Sequence, residues 1–178
     1  MEEITRDNCR LLLAAFLEEN NLSTRVVSRA IGSPEASIAR ILAGKSKPSD
    51  EMLKQVGVML GIGFEKYQKL TESEKEKISE ALGAVGGGTL GFASIAATIS
   101  SLGSVAGLSA AGISSGLAAL GTIVGGGMIA GVSVAAAIPL AVGAIGYGVI
   151  KGVKYFFEEH QLNTEDIDTR WEISNSKE

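Results

Sequence analysis

The stretch LSTRVVSRAIGSPEASIARILAGKSKPS, from Leu22 to Ser49, decides the fold of the N-terminal part of this chain. Ser23 is a good N-cap for one helix, and Ser33 followed by Pro34 marks the start of a second. A three-residue turn centred on Gly32 separates the two predicted helices. Two short helices joined in this way predict a helix-turn-helix unit.

Further short helices are predicted on both sides of this unit. Apolar residues recur at three- and four-residue spacing over 9–17, after a cap at Thr5, and over 52–60, after a cap at Ser49. Gly44 is predicted to end the second helix of the unit, because glycine is favoured at the position just after a helix C-terminus. The spacing therefore predicts a domain of short helices over residues 1–70.

Residues 8–63 resemble the lambda-repressor/Cro-like, or xenobiotic-response-element, helix-turn-helix domain. The resemblance is carried by a small residue, the turn glycine, two apolar positions and a closing Gly-Lys-x-x-Pro sequence: Ser28, Gly32, Ile38, Ile41 and Gly44–Pro48. It implies a five-helix fold and double-stranded DNA as a partner. The module carries ten basic and nine acidic residues over 1–70, a weak footprint for nucleic acid, so a protein-interaction domain is the alternative.

The resemblance also implies which residues contact DNA. Thr24 and Arg25 would meet phosphate at the start of the second helix. Lys45 and Lys47 would flank the DNA backbone. The groove-facing residues of the recognition helix would be Glu35, Ala36, Ser37 and Arg40. Arg40 is the best candidate for contact with a base edge, and the lysines are positioning contacts.

The second informative stretch runs from Ala81 to Ile150, 70 residues without Asp, Glu, Lys, Arg or His, of which 17 are Gly. Each Gly in a helix exposed to water costs about 1 kcal/mol relative to Ala. In a bilayer the backbone must form its hydrogen bonds internally, and Gly lets helices approach closely. The composition therefore predicts membrane-inserting or self-packing helices over about 83–150. Thr71 and Glu74 predict a capping box for a helix that continues directly into this stretch.

Five glycine pairs at four-residue spacing predict a glycine zipper, because residues four apart share a helix face. The pairs are Gly87 with Gly91, Gly103 with Gly107, Gly112 with Gly116, Gly121 with Gly125, and Gly127 with Gly131. Breaks near 100–104 and 125–127 divide the stretch into three helical pieces. Aromatic and basic residues at the end of the last piece are typical of a membrane interface: Tyr147, Lys151, Lys154, Tyr155, Phe156 and Phe157. With both ends on the cytoplasmic side, we expect a hairpin of two spans.

Composition excludes several function classes. The acidic start lacks the basic region of a signal peptide. With Cys9 as the single cysteine and His160 as the single histidine, we expect no disulfide, no metal site and no histidine-based catalysis. We therefore expect no enzyme and no cofactor. Trp171 in the acidic tail is predicted to pack on the N-terminal module if buried, and to bind a partner if exposed.

These patterns predict an all-α chain with four parts: a helix-turn-helix domain (1–70), a charged junction (71–82), a glycine-zipper region (83–157) and an acidic tail (158–178). The leading hypothesis is a self-assembling toxin or phage-defence effector that inserts into the inner membrane under control of the DNA-binding module. A second is a transcriptional regulator that its apolar region oligomerises or tethers to the membrane. A third is a soluble ring- or filament-forming protein. The chain is expected in the inner membrane or the cytoplasm, with lipid, DNA and further copies of itself as partners.

Overall fold

Five short helices form the first part of the chain, as predicted. A computed structural model describes residues 3–85, 88–102 and 167–175. The first five helices are α1 (Cys9–Glu19), α2 (Thr24–Ile31), α3 (Glu35–Leu42), α4 (Asp50–Ile62) and α5 (Phe64–Tyr67). The α2 and α3 helices are the two members of the helix-turn-helix unit.

Most of the predicted caps are confirmed. The Ser23 and Ser49 hydroxyls accept hydrogen bonds from the backbone N–H groups of Val26 and Met52, in the first turns of α2 and α4. Gly32 closes α2 in the left-handed conformation, with φ of 81°, which a side chain would strain. The α3 helix begins one residue later than predicted, with Pro34 at its N-cap. Since caps act through local hydrogen bonds, a short sequence window identifies them.

The start of α1 differs from the prediction. Thr5 belongs to strand β1 (Glu3–Thr5), and Asn8 is the N-cap of α1. Thr5 and Asn8 nevertheless support the start of the helix together. The Thr5 N–H donates to Asn8 Oδ1 at 2.7 Å, and the Asn8 N–H donates to Thr5 Oγ1 at 3.1 Å.

The junction helix α6 (Glu72–Leu82) has the predicted capping box between Thr71 and Glu74. The expectation that it continues into the uncharged stretch is wrong, because it ends at Gly83, whose φ is 68°. A strand, β3 (Thr89–Gly91), and a helix, α7 (Phe92–Ser101), follow instead. Gly91 therefore lies in a strand opposite Glu3, where it cannot form a helical pair with Gly87.

The described residues are mostly helical, but they also contain two short antiparallel ladders that the sequence did not predict. In one, β1 pairs with β3 so that Ile4 lies opposite Leu90. In the other, β2 (Ser46–Pro48) pairs with β4 (Glu172–Ser174) from the C-terminal tail. The second ladder places the tail directly beside the helix-turn-helix unit.

Residues from the uncharged stretch complete the hydrophobic core of the helix-turn-helix module. Ile95 and Ile99 of α7 are fully buried against it. Ile95 lies over two glycines of α4, because a Cβ at Gly57 would be 2.8 Å from Ile95 Cδ1 and one at Gly61 would be 3.4 Å from Ile95 Cγ2. The α7 helix, near the start of the uncharged stretch, thus buries its apolar side chains against the module. Cys9 is also buried in this core, where burial raises the pKa of its thiol to about 12.

Lys75 fixes α6 to the helix-turn-helix unit. Its ammonium donates hydrogen bonds to the carbonyl oxygen of Ala30, near the C-terminus of α2, at 2.6 Å and to Glu72 at 2.7 Å. It also lies 5.3 Å from the centroid of the Tyr67 ring. A cation at a helix C-terminus stabilises the unpaired carbonyl groups there. The contact therefore attaches the junction to the end of α2 that precedes the turn.

Replacing Tyr67 with Phe tests the buried hydrogen bond between the side chains of Tyr67 and Gln55. The buried Tyr67 hydroxyl donates to the Gln55 side-chain oxygen at 2.6 Å. Its loss leaves that buried oxygen unpaired, so we expect the free energy of unfolding to fall by about 1–3 kcal/mol. Urea denaturation measures the change. Ser73→Ala, which removes an exposed hydroxyl from α6, should change it by less than about 0.5 kcal/mol.

None of the helices in the described ranges has the length and apolarity needed to cross a bilayer. The other four predicted glycine pairs lie outside the described residues: Gly103 with Gly107, Gly112 with Gly116, Gly121 with Gly125, and Gly127 with Gly131. Gly87 and the predicted interface residues Tyr147, Lys151, Lys154, Tyr155, Phe156 and Phe157 also lie outside them. The predicted zipper over 103–131 and the predicted hairpin therefore remain predictions.

Candidate nucleic-acid interface

The first residues of α2 and α3 meet at a shared carboxylate. Thr24 Oγ1 donates to Glu35 Oε1 at 2.8 Å, and Arg25 Nε donates to Glu35 Oε2 at 3.2 Å. The Arg25 side chain is 61% exposed, so this ion pair is worth at most about 1 kcal/mol. Arg25 can therefore exchange Glu35 for a phosphate group at little cost. Ala36 is half-buried beside this cluster.

Ser37 and Arg40, two of the predicted groove-facing residues, are buried. Their side chains contact Glu172 of β4, which is itself fully buried. Arg40 Nε donates to both Glu172 carboxylate oxygens at 3.0 Å, and Arg40 Nη2 also donates to Glu172 Oε1. Ser37 Oγ donates to the same carboxylate at 2.8 Å, and Ser46 Oγ of β2 at 2.6 Å. The carboxylate thus receives hydrogen bonds from three side chains of the module.

The contact between Glu172 and the module depends on the charge of the carboxylate. Burial alone would raise the pKa of Glu172, but the hydrogen bonds from Arg40, Ser46 and Ser37 and the Arg40 charge outweigh it and hold the pKa below its ordinary value of 4.5. The charged form therefore favours the docked state. Among the described residues, Arg40 from α3 is the charged group in contact with it, and β2 contributes the Ser46 hydroxyl.

We expect acid to release the tail. Because the Glu172 pKa is lower when docked, its contribution to docking is complete above the ordinary value of 4.5 and is lost as the pH falls through the docked value. Trp171 is buried next to Glu172 and is the single tryptophan of the chain, so its emission reports docking. Its emission should shift to longer wavelength on acidification. The same transition at the same pH in a Glu172→Gln variant would contradict this assignment.

Three further hydrogen bonds anchor the tail to the module. Ser49, the N-cap of α4, donates from its hydroxyl to the Arg170 carbonyl at 2.5 Å and from its N–H to the Trp171 carbonyl at 3.1 Å. The Arg170 guanidinium lies 4.8 Å from the centroid of the Trp171 ring. Asn175 Nδ2 donates to the Gly44 carbonyl at 2.9 Å. Since Trp171 is 4% exposed, the packing role of this residue is the one that the structure supports.

The two predicted backbone-positioning lysines are exposed on the loop and strand after α3. Lys45 is at the surface, and Lys47 Nζ lies 3.2 Å from the exposed Asp7 carboxylate. Lys47 also lines a cleft of about 310 Å³ together with Arg6 and Arg10. The Arg10 guanidinium lies close to the Gly44 backbone, since a Cβ there would be 2.7 Å from Arg10 Nη1. The cleft therefore brings Arg6, Arg10 and Lys47 together with the Asp7 carboxylate beside the predicted phosphate contacts, and Arg6 is itself paired with Asp50.

Sequence reasoning missed several residues of this surface. Arg6 precedes the segment that resembles the family, and Arg10 lies at its start. Their four-residue spacing was the only feature of the sequence that could have indicated a shared surface. The contact between Arg40 and Glu172 spans 132 positions, which no local pattern predicts. The single tryptophan of the chain, next to Glu172 in a largely polar tail, was the available signal that this segment packs against another part of the protein.

Comparison with known proteins identifies the module but not the whole chain. Residues 13–67 match the helix-turn-helix family of the lambda-repressor/Cro-like type. No curated protein and no solved structure matches the chain. The match covers α2, α3 and the loop that carries Lys45 and Lys47, the elements to which the family resemblance assigns DNA contact as a prediction.

Proposed function

We propose that the chain binds double-stranded DNA through its helix-turn-helix module and acts as a transcriptional regulator. The observation that carries this proposal is the match of residues 13–67 to the helix-turn-helix family, together with the α2–turn–α3 geometry within it. In helix-turn-helix proteins the second helix of the unit enters the major groove. Here that helix is α3.

The described residues fit separate roles in this proposal. Phosphate groups would be bound at two places: by Thr24 and Arg25 at the start of α2, and by Lys45 and Lys47 after α3. Contacts of this kind position the protein without reading sequence. Once released from Glu172, Arg40 would read a base edge, where a bidentate arginine discriminates guanine by about 1–3 kcal/mol. Glu35 and Ala36, at the accessible start of α3, would lie nearest the groove.

Selection of duplexes from a random pool at moderate salt tests the proposal. We expect an enriched sequence, and affinity for it that falls with salt because phosphate contacts release counterions. Lys45→Ala and Lys47→Ala should weaken binding to all duplexes alike and each lower the salt slope by about one. Lys77→Ala, an exposed lysine on α6, is the matched control. If no duplex competes with bulk DNA, the proposal fails.

A second candidate function is a membrane-active effector that assembles through its glycine-rich region. The 70 uncharged residues from 81 to 150 favour it, because a DNA-binding regulator does not need them. Residues 81–85 and 88–102 of this stretch contain the end of α6, the β3 strand and the α7 helix, which pack against the module. The membrane-active function would therefore depend mainly on residues 103–150. Its partners would be a lipid bilayer and further copies of the chain, with the module on the cytoplasmic side of the inner membrane.

Dye release from liposomes by the full chain tests this candidate. We expect release that Gly112→Leu or Gly121→Leu abolishes, since leucine would fill the groove between zipper helices. Release that is unaffected by both changes would reject the zipper mechanism. A chain that stays soluble without detergent, forms oligomers and ignores liposomes would instead favour a soluble ring- or filament-forming protein.

A further inference from the structure

We infer that the C-terminal segment 167–175 and a DNA duplex compete for one face of α3, so that the segment must leave before Arg40 can reach a base. The inference rests on the proposed DNA-binding function and names the regulation of that site. It assigns to Glu172 the role of an internal competitor for the DNA-reading side chains.

The first step is the position of the segment. Ser37 and Arg40 are three residues apart on α3 and therefore share a face of the helix. Both are bonded to Glu172, and Arg40 is 3% exposed. A helix with its side chains is about 10–12 Å wide, and the major groove is about 12 Å wide. The groove therefore has no room for an added strand on the face of α3 that reads it.

The second step is the chemistry that Glu172 satisfies. Its two carboxylate oxygens accept from Arg40, as O6 and N7 of guanine do in a base contact. They also accept from the Ser37 and Ser46 hydroxyls, which are donors suited to a phosphate oxygen. A duplex could thus replace the carboxylate without leaving these donors unpaired. Replacing the Glu172 oxygens by DNA acceptors costs much less free energy than removing Glu172 and leaving the donors without any acceptor.

The third step is that little secondary structure holds the segment. The β4 strand has three residues and pairs with the three-residue β2 strand alone. A two-stranded ladder is marginally stable at best. The segment's other contacts include the buried Trp171 and hydrogen bonds from Ser49 and Asn175. Residues 161–178 carry five acidic and two basic groups, so a polyanion that approaches the module repels them.

The experiment uses the full chain and a duplex recovered by selection with both the wild type and Glu172→Gln. We expect Glu172→Gln to bind this duplex about ten- to a hundredfold more tightly, since it removes a charge-assisted contact that holds the segment. Arg40→Ala should remove the difference. Glu76→Gln makes the same charge change at an exposed position on α6 and should leave affinity unchanged. In the wild type, Trp171 emission should shift to longer wavelength as the duplex saturates.

The outcomes separate the two proposals. If the wild type binds a specific duplex and its Trp171 emission stays unchanged at saturation, the segment remains docked and competition is overturned, while DNA binding stands. If neither the wild type nor Glu172→Gln selects any duplex, DNA binding fails and competition fails with it. If Glu172→Gln does not fold, as judged by circular dichroism, the wild-type emission titration alone decides.

Discussion

Replacing Glu172 with Leu is expected to detach the C-terminal segment from the module. The change would remove the carboxylate from the buried ion pair with Arg40, and loss of one member of such a pair costs about 3–5 kcal/mol. The short ladder between β2 and β4 cannot offset this cost. We therefore expect the segment to leave, and Trp171 emission to shift to longer wavelength, while α1 to α6 keep their helical circular dichroism signal.

A double variant, Arg40→Met with Glu172→Leu, controls for this prediction. Apolar residues of similar size often replace a buried ion pair without loss, or stabilise by about 1–4 kcal/mol. The double variant should therefore keep the segment docked, with Trp171 emission like that of the wild type. Emission that shifts as far in the double variant as in the single one would show that the buried Arg40 charge is not the cause.

Replacing Gly57 with Leu is expected to separate α7 and both strands of the first ladder from α4. A Cβ at this position would be 2.8 Å from Ile95 Cδ1, 3.4 Å from Leu90 Cδ2 and 3.5 Å from Ile4 Cγ2. Extra carbon atoms in a filled core cost about 1–3 kcal/mol, or more where neighbours cannot move. Urea denaturation should show this loss, and hydrogen exchange of the α7 amides should accelerate most.

Gly61→Ala is the matched control on the same helix. Its Cβ would lie 3.4 Å from Ile95 Cγ2, a van der Waals contact, and Ala stabilises a helix interior by about 1 kcal/mol relative to Gly. We expect unchanged or higher stability. A Gly57→Leu chain that unfolds at the same urea concentration as the wild type would refute the close packing of α7 on α4.

Features that depend on neighbouring residues could be predicted from the sequence. The caps at Ser23 and Ser49, the turn at Gly32 and the capping box at Thr71 each involve residues within a few positions. Their hydrogen bonds join residues close together in the chain, so pattern and outcome agree at these positions, although the same reasoning misplaced the caps at Thr5 and Ser33. The DNA-contact assignments for the exposed Arg25, Lys45 and Lys47 come from the family resemblance and remain predictions.

Features that depend on distant residues could not be predicted. The strands have three residues each, too few for an alternating pattern to stand out. Absence of charge correctly indicated burial for Ile95 and Ile99, but it could not identify what buries them. For α7 the partner is α4 of the same chain, where Gly57 and Gly61 form the small-residue groove. A glycine pair in the sequence does not show which helix will pack against it, because that depends on the tertiary fold.

The module holds the chain at two points that differ in strength. Leu102 ends a segment whose Phe92, Ile95 and Ile99 side chains are buried, whereas the far attachment is the three-residue strand β4 with Trp171. The 64 residues from 103 to 166 join these two points. Mechanical tension on that connection, whether from assembly or from a surface, would load both attachments equally. The C-terminal attachment includes the contact between Glu172 and Arg40, so a pull that released it would uncover Arg40.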